Sequence, residues 1–345
     1  MTKASRQELR RLVNGYQVTQ ALHTLASLGI ADELASGPRS SKELAQGLGA
    51  NEAHLYRLLR AVATVGVVEE LPERRFSLTE LGEGLRSDVP GSVAGWARFV
   101  GRRYHWLAWA RLAEGVTTGG HAFRLEHGTD TWTYRRDHPE EAVIFNAAMN
   151  SASSLIADAV AGGYDFGPFR VVVDVGGGGG VLISAVLQRH RHLRGVLYDL
   201  PHVIDDSARY IEEAGLVGRC ALLGGDFFER VPVGGDLYLL KSVLHDWNDE
   251  DAIRILATCR KAMRPDAKLL VVERVLGAPN EDRDTKFADL NMMVGAGGRE
   301  RTSEDWESLL RAGGFQLTGI GAGEAFSDGP LVTGESFALL EADPT

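Results

Sequence analysis

Three short groups of residues in the second half of the chain have the types and spacing for chemistry. The first is Asp174-Val175-Gly176-Gly177-Gly178-Gly179-Gly180, which leads from an apolar run into a helical one. Glycines at a strand-to-helix turn let a ligand approach the backbone, and an acid ending the next strand, here Asp199, accepts hydrogen bonds from ribose hydroxyls. The second group, Asp226-Phe227-Phe228, offers a carboxylate beside an aromatic wall, although Asp226 could equally cap a helix. The third surrounds His245, at the carboxyl end of a strand, where sheets of this kind bind ligands. Two cofactor classes fit the loop. A dinucleotide would rest its pyrophosphate on the helix N-terminus. S-adenosylmethionine has no phosphate and needs a ribose-binding carboxylate, a partner for the adenine edge and an apolar wall.

These groups must be held by an alternation of strands and helices. Residues 169–174, 194–199, 220–223, 236–240 and 268–272 read as strands, the first mostly apolar and centred on Val171-Val172-Val173, as a strand buried on both faces should be. Helices lie between them. In the helix between the last two, Asn248 is placed to cap, acids fill the first turn, and Arg260, Lys261 and Arg264 sit at the far end. A helix at 302–312 and strands at 315–320 and 336–341 close the chain. The pattern predicts an α/β, Rossmann-like doubly wound sheet, mostly parallel with an antiparallel last strand.

The first 165 residues differ. Residues 16–34 carry apolar side chains at helical spacing, broken at Gly29. Ser40 with Glu43 forms a capping box, Asn51 caps a further helix, and 67–68 and 75–78 flank a turn. Helix, turn, helix and small hairpin is a winged-helix pattern. The expected domains are therefore 1–100, a winged-helix dimerisation domain; 101–165, a helical, aromatic-rich linker and cap over the substrate; and 166–345, the cofactor-binding catalytic domain.

Composition narrows the function. Across 345 residues, 37 Lys and Arg stand against 47 Asp and Glu, which disfavours nucleic acid and anionic membranes. Residues 1–100 hold 12 basic and 11 acidic side chains, too even for a DNA-binding winged helix. No run of 18 apolar residues suggests a membrane span, and Cys220 and Cys259 have no metal or redox spacing. A cytoplasmic protein without a metal is expected.

Leu240-Lys241-Ser242-Val243-Leu244-His245-Asp246-Trp247-Asn248-Asp249 resembles the signature of the S-adenosylmethionine-dependent O-methyltransferases of the plant caffeate and bacterial polyketide type. Phe145-Asn146-Ala147-Ala148-Met149, the glycine motif, Gly225-Asp226-Phe227-Phe228 and Gly297-Gly298-Arg299-Glu300-Arg301-Thr302 follow the same pattern in order. Gly179 departs from it, standing where the family usually has a side chain. The resemblance implies a homodimer that methylates a phenolic hydroxyl of a small aromatic metabolite. It assigns S-adenosylmethionine to Gly176, Gly178, Asp199, Asp226, Phe227, Lys241 and Ser242. His245 becomes the general base, oriented by Glu273 and Glu300, and Phe145, Met149, Asn291 and Met292 the acceptor wall. Family variants that hydroxylate, decarboxylate or cyclise are the rival reading; a nicotinamide dehydrogenase would not carry the His245 signature. A phenol titrates near ~10 and histidine near ~6.5, so complete proton transfer before attack would cost about 5 kcal/mol. A carboxylate on the far imidazole nitrogen would fix the tautomer.

Overall fold

The computed structural model describes residues 2–321 and 337–345. Contacts divide the chain into two compact units, residues 1–106 with 138–152, and residues 107–137 with 153–345. The stretch 101–165, expected as a region of its own, is thus shared between them.

In the first unit the predicted caps form. Ser40 Oγ accepts from the Glu43 N–H while the Glu43 carboxylate takes the Ser40 N–H, and Asn51 accepts from the His54 N–H. Helices Ser41–Leu48 and Glu52–Ala63 follow from these caps, and Gly49 ends the first in the left-handed region (φ 63°). The hairpin pairs β2 (Val68–Leu71) with β3 (Arg75–Leu78), and a short β1 (Arg39–Ser40) adds a third antiparallel strand. Leu25, Leu44, Leu59 and Phe76 form the core beneath it. Of the N-terminal apolar residues, Leu25 is fully buried and Leu22 packs beside it, whereas Leu9, Leu12, Val13, Tyr16 and Val18 stay 41–68% exposed. Helix Lys3–Val13 buries none of its residues.

The second unit is built on seven strands in the order β6-β5-β4-β7-β8-β10-β9. They are β4 (Val171–Val175), β5 (Arg194–Asp199), β6 (Cys220–Gly224), β7 (Leu237–Lys241), β8 (Lys268–Arg274), β9 (Phe315–Gly321) and β10 (Phe337–Pro344). The first five run parallel. The last strand in the chain, β10, is antiparallel as expected, but it lies between β8 and β9 rather than at the edge. Ser336, expected in that strand, lies outside the described residues. Alternate residues serve two cores: Val172, Leu237 and Leu239 face one side, Val173, Tyr238 and Leu240 the other. The parallel strands all point their carboxyl ends one way, so Val175, Asp199 and Lys241 finish along one edge of the sheet. Helix Pro139–Gly163 has the length and apolar content of a membrane-crossing helix, yet Ala148, Ile156, Ala157, Val160 and Ala161 are buried in protein.

Candidate active site

The glycine loop follows β4 directly. Gly176, Gly178 and Gly180 adopt φ of 69°, 56° and 79°, where side chains are strained. A Cβ on Gly176 would lie 2.8 Å from Val243 Cγ2, and one on Gly177 would lie 2.7 Å from Asp174 Oδ2. Gly178 instead faces open space. Its N–H donates to Asp199 Oδ2 at 2.9 Å, and the Leu200 N–H to Asp199 Oδ1 at 2.7 Å. Burial nevertheless holds the Asp199 carboxyl above its ordinary range. Asp174 is 1% exposed with Oδ2 unpartnered. Burial pushes its carboxyl up to about 7, with the Asp199 charge adding to the shift and Lys241 opposing it. Two acids therefore face this loop, Asp174 in reach of the Lys241 charge and Asp199 held by two N–H groups.

Asp226 opens a turn rather than a helix: its Oδ1 accepts the Phe228 N–H at 2.8 Å. The turn aims Phe227 at the loop, its ring 3.5 Å from where a Gly176 Cβ would stand. Trp247 meets Phe227 and Phe228 edge-on at 6.0 and 4.7 Å between centroids. Lys241 Nζ donates to Ser153 Oγ at 2.8 Å. Ser242, next along, takes φ 52°, a left-handed residue that turns the chain off β7 into a single 3₁₀ turn, Leu244–Asp246.

That turn carries His245. Its Nδ1 bonds Glu300 Oε1 at 2.9 Å, and Glu273 Oε2 lies 3.6 Å from the same nitrogen. Asp246 Oδ1 is 3.8 Å from Nε2. Glu273 does more for the backbone than for the ring: its Oε1 accepts the N–H groups of Val243, Leu244 and His245 at 2.9, 3.0 and 3.3 Å. Both glutamates are buried, and Oε2 of each lacks a hydrogen-bond partner. Burial alone would pull the imidazole pKa down, but Glu273, Glu300 and Asp246 together outweigh it and push it up to about 10. Burial likewise pushes Glu273 up to about 7, against the attraction of His245. The donor atoms of His245, Glu273 and Glu300 lie within 4.8 Å of one another, a spacing that could hold a metal ion. A proton on Nδ1 meets the same need.

Three participants were not singled out from the sequence. Asp246 supplies the third carboxylate. Gly298 packs so closely on the turn that a Cβ would stand 1.9 Å from the His245 carbonyl oxygen. Arg301, fully buried, bonds the carbonyls of Leu244 and Trp247 at 3.0 and 2.9 Å. Position in the 240–249 and 297–302 motifs was the signal for them; Gly298 and Arg301 act on the turn through contacts remote in sequence, whereas Asp246 stands beside the histidine it faces. Of the expected acceptor wall, Asn291 and Met292 lie half-buried on helix Arg283–Gly295 in this unit. Phe145 and Met149 belong to the other, where Phe145 packs edge-on against Phe99 at 5.3 Å.

A glycine loop beside a carboxylate-held histidine, on the carboxyl edge of a doubly wound sheet, gives the chain the frame of a Rossmann-like transferase. The chain belongs to the O-methyltransferase family: the O-methyltransferase domain matches residues 109–316, and the O-methyltransferase dimerisation domain matches residues 10–88. It is 40% identical to the phenazine O-methyltransferase PhzM of Lysobacter antibioticus, over 97% of this chain and 95% of that one. Identity to the mitomycin biosynthesis 6-O-methyltransferase of Streptomyces lavendulae is 38%, over 91% and 90%. Among solved structures, LaPhzM matches with a TM-score of 0.92 at 39% identity, covering 99% of each chain. The neocarzinostatin-biosynthesis O-methyltransferase NcsB1, solved with S-adenosylmethionine and 2-hydroxy-5-methyl naphthoic acid, matches with a TM-score of 0.79 at 31% identity, over 95% and 96%.

Proposed function

We propose that this enzyme transfers a methyl group from S-adenosylmethionine to a phenolic hydroxyl of a small aromatic metabolite, with His245 as general base. The observation that carries the reading is the 2.9 Å bond from His245 Nδ1 to buried Glu300, which leaves Nε2 as the nitrogen for an acceptor hydroxyl.

The residues around the glycine loop suit this cofactor better than a dinucleotide. The acids Asp174 and Asp199 at the loop would disfavour a pyrophosphate and suit a cofactor that carries a positive charge. Gly176 and Gly178 would admit the cofactor's backbone approach, Asp199 its ribose hydroxyls, and Asp226 and Phe227 its adenine, with Lys241 and Ser242 at the far end. When bound, S-adenosylmethionine supplies a methyl group on a positively charged sulfur, an electrophile that needs no further activation. The chain's task is then alignment and proton removal. His245 takes the hydroxyl proton on Nε2, Glu300 holds the tautomer, and Glu273 stabilises the resulting imidazolium. Glu273, Glu300 and Asp246 push the imidazole pKa up toward that of a phenol, which narrows the ~5 kcal/mol mismatch. Asn291 and Met292, in the same unit as His245, would wall the acceptor, aided by Trp247.

Asp199→Ala should weaken cofactor binding at least ~tenfold, because a lost charged acceptor costs about 1.5–3 kcal/mol. Titration calorimetry with S-adenosylhomocysteine measures this, and unchanged affinity would remove Asp199 from the site. A screen of phenols and aryl amines, read by mass for a methyl gain, tests the reaction itself. No methylated product from any of them would defeat the proposal.

We further propose that the chain works as a homodimer through its dimerisation domain. Leu9, Leu12, Val13, Tyr16 and Val18 form an apolar surface that the unit's own core leaves open. Light scattering should give twice the 37.4 kDa chain mass at micromolar concentration, and a monomer there would refute it.

A further inference from the structure

We propose that Arg301 is a positioning residue: by holding the backbone carbonyls on either side of His245, its guanidinium sets where the imidazole reaches. The inference rests on the reading of His245 as the base.

The turn that carries His245 has no ladder to lock it. It is one 3₁₀ turn entered through the left-handed Ser242; the Arg299 N–H donates to His245 O at 2.9 Å, and side chains hold much of the rest of its backbone. Glu273 takes its N–H groups from one side. Arg301 takes its carbonyls from the other: Nη1 donates to Leu244 O at 3.0 Å and Nη2 to Trp247 O at 2.9 Å. Nε and Nη2 also reach Asp249 Oδ1 at 3.0 and 2.8 Å, fixing the start of the next helix. Arg301 is itself anchored. Its carbonyl accepts the Leu276 N–H at 2.9 Å, and the guanidinium lies 5.3 Å from the centre of the Trp306 ring. Trp306 in turn donates to Arg274 O at 3.0 Å, beside Glu273 on β8. Glu273 and Arg301 therefore grip the turn from one rigid strand end. A planar fork with five donors can span two carbonyls and a carboxylate at once; a lysine ammonium cannot hold that geometry.

The test compares wild type, Arg301→Lys and Arg301→Met on two phenols, one weakly acidic and one ionised at the assay pH. Displacing a reacting group by ~1 Å costs about 10²-fold. On the weakly acidic phenol, kcat should therefore fall about 10²-fold in Arg301→Met and less in Arg301→Lys. Loss on the ionised phenol should be much smaller, and affinity for S-adenosylhomocysteine should stay within about twofold of wild type, since Arg301 touches neither ligand. Equal losses on both phenols with a parallel loss of cofactor affinity would overturn the proposal, as would wild-type turnover in both variants. If Arg301→Met does not fold, Asp249→Asn substitutes for it, because it loosens the guanidinium from a half-exposed partner. Its kcat should drop several-fold on the weakly acidic phenol alone, and no change would count against the idea. The imidazole ¹⁵N resonances of His245 give a readout without turnover. They should move in Arg301→Lys; unmoved resonances would sink the positioning role even if wild type methylates phenols. Moved resonances in a protein that methylates none would leave it standing while the proposed reaction fails.

Discussion

His245→Ala is expected to lower turnover about 10²–10⁴-fold, the usual contribution of a positioned general base, while leaving cofactor affinity nearly intact. The pH profile adds a second signature. The active form is the neutral imidazole, so the rate on a weakly acidic phenol should rise with pH, and the carboxylate cluster places the inflection above the ordinary ~6.5, toward the value of about 10 of the ligand-free site. A bound cation beside the cluster would draw it down from there. Glu300→Gln removes one of the raising charges and leaves at most a weaker, neutral bond to Nδ1, so its inflection should move toward lower pH. His245→Ala should lack the inflection and should lose least on an acceptor already ionised. Profiles on two phenols of different acidity decide the matter. An inflection that persists in His245→Ala, or equal losses on both acceptors with weakened cofactor binding, would make His245 a structural residue.

Gly298→Ala, a single added methyl group, should be nearly as damaging. The new Cβ would stand 1.9 Å from His245 O, 2.4 Å from the Asp246 carbonyl carbon and 2.5 Å from Trp247 N, all backbone atoms with no rotamer to yield. Either the turn or the 298–301 segment must shift, and the Arg299 N–H to His245 O bond at 2.9 Å breaks with it. Overpacking of this kind costs about 1–3 kcal/mol of stability, and a base displaced by ~1 Å costs about 10² in rate. Calorimetric unfolding with steady-state kinetics should show a folded, destabilised enzyme with intact cofactor affinity and kcat down at least ~10²-fold. Wild-type turnover in Gly298→Ala would mean that the turn tolerates movement, and would weaken the argument for Arg301 as well.

What could be read from the sequence was local or periodic. Ser40, Asn51 and Asn248 announced helix starts because a cap acts within three residues. The parallel strands declared themselves as apolar runs bounded by turns. The glycine loop and Asp199 were legible because a ribose acid follows a fixed distance along one βαβ unit, and here the two meet in the Gly178 bond. The position of β10 between β8 and β9 was not legible, because strand order depends on packing across the sheet. Nor was the division of labour between the glutamates. Both were expected on the imidazole; Glu300 is there, while Glu273 spends one oxygen on three backbone N–H groups. That choice depends on where the end of β8 meets the turn after β7, a distance of about thirty residues in sequence that spacing alone does not encode. The raised proton affinity of His245 was hidden for the same reason, since it sums charges from three separate segments.

The double grip on the His245 turn also bears on how such an enzyme can diversify. The turn is tied by its N–H groups, its carbonyls and its imidazole, so almost any change there disturbs the chemistry. Helix Arg283–Gly295, which carries Asn291 and Met292, buries only Thr285 and Val294, and Phe287 on it is 54% exposed. Among the described residues its link to the base is Asp289, whose carboxylate receives the Glu300 N–H at 2.9 Å. Substitutions elsewhere along that helix can accumulate at small thermodynamic expense without retuning the proton acceptor. On the proposed assignment of Asn291 and Met292 to the acceptor wall, a lineage built this way can exchange one aromatic acceptor for another by drift on a lightly constrained surface, and a directed library at 287–293 that spares Asp289 would follow the same route.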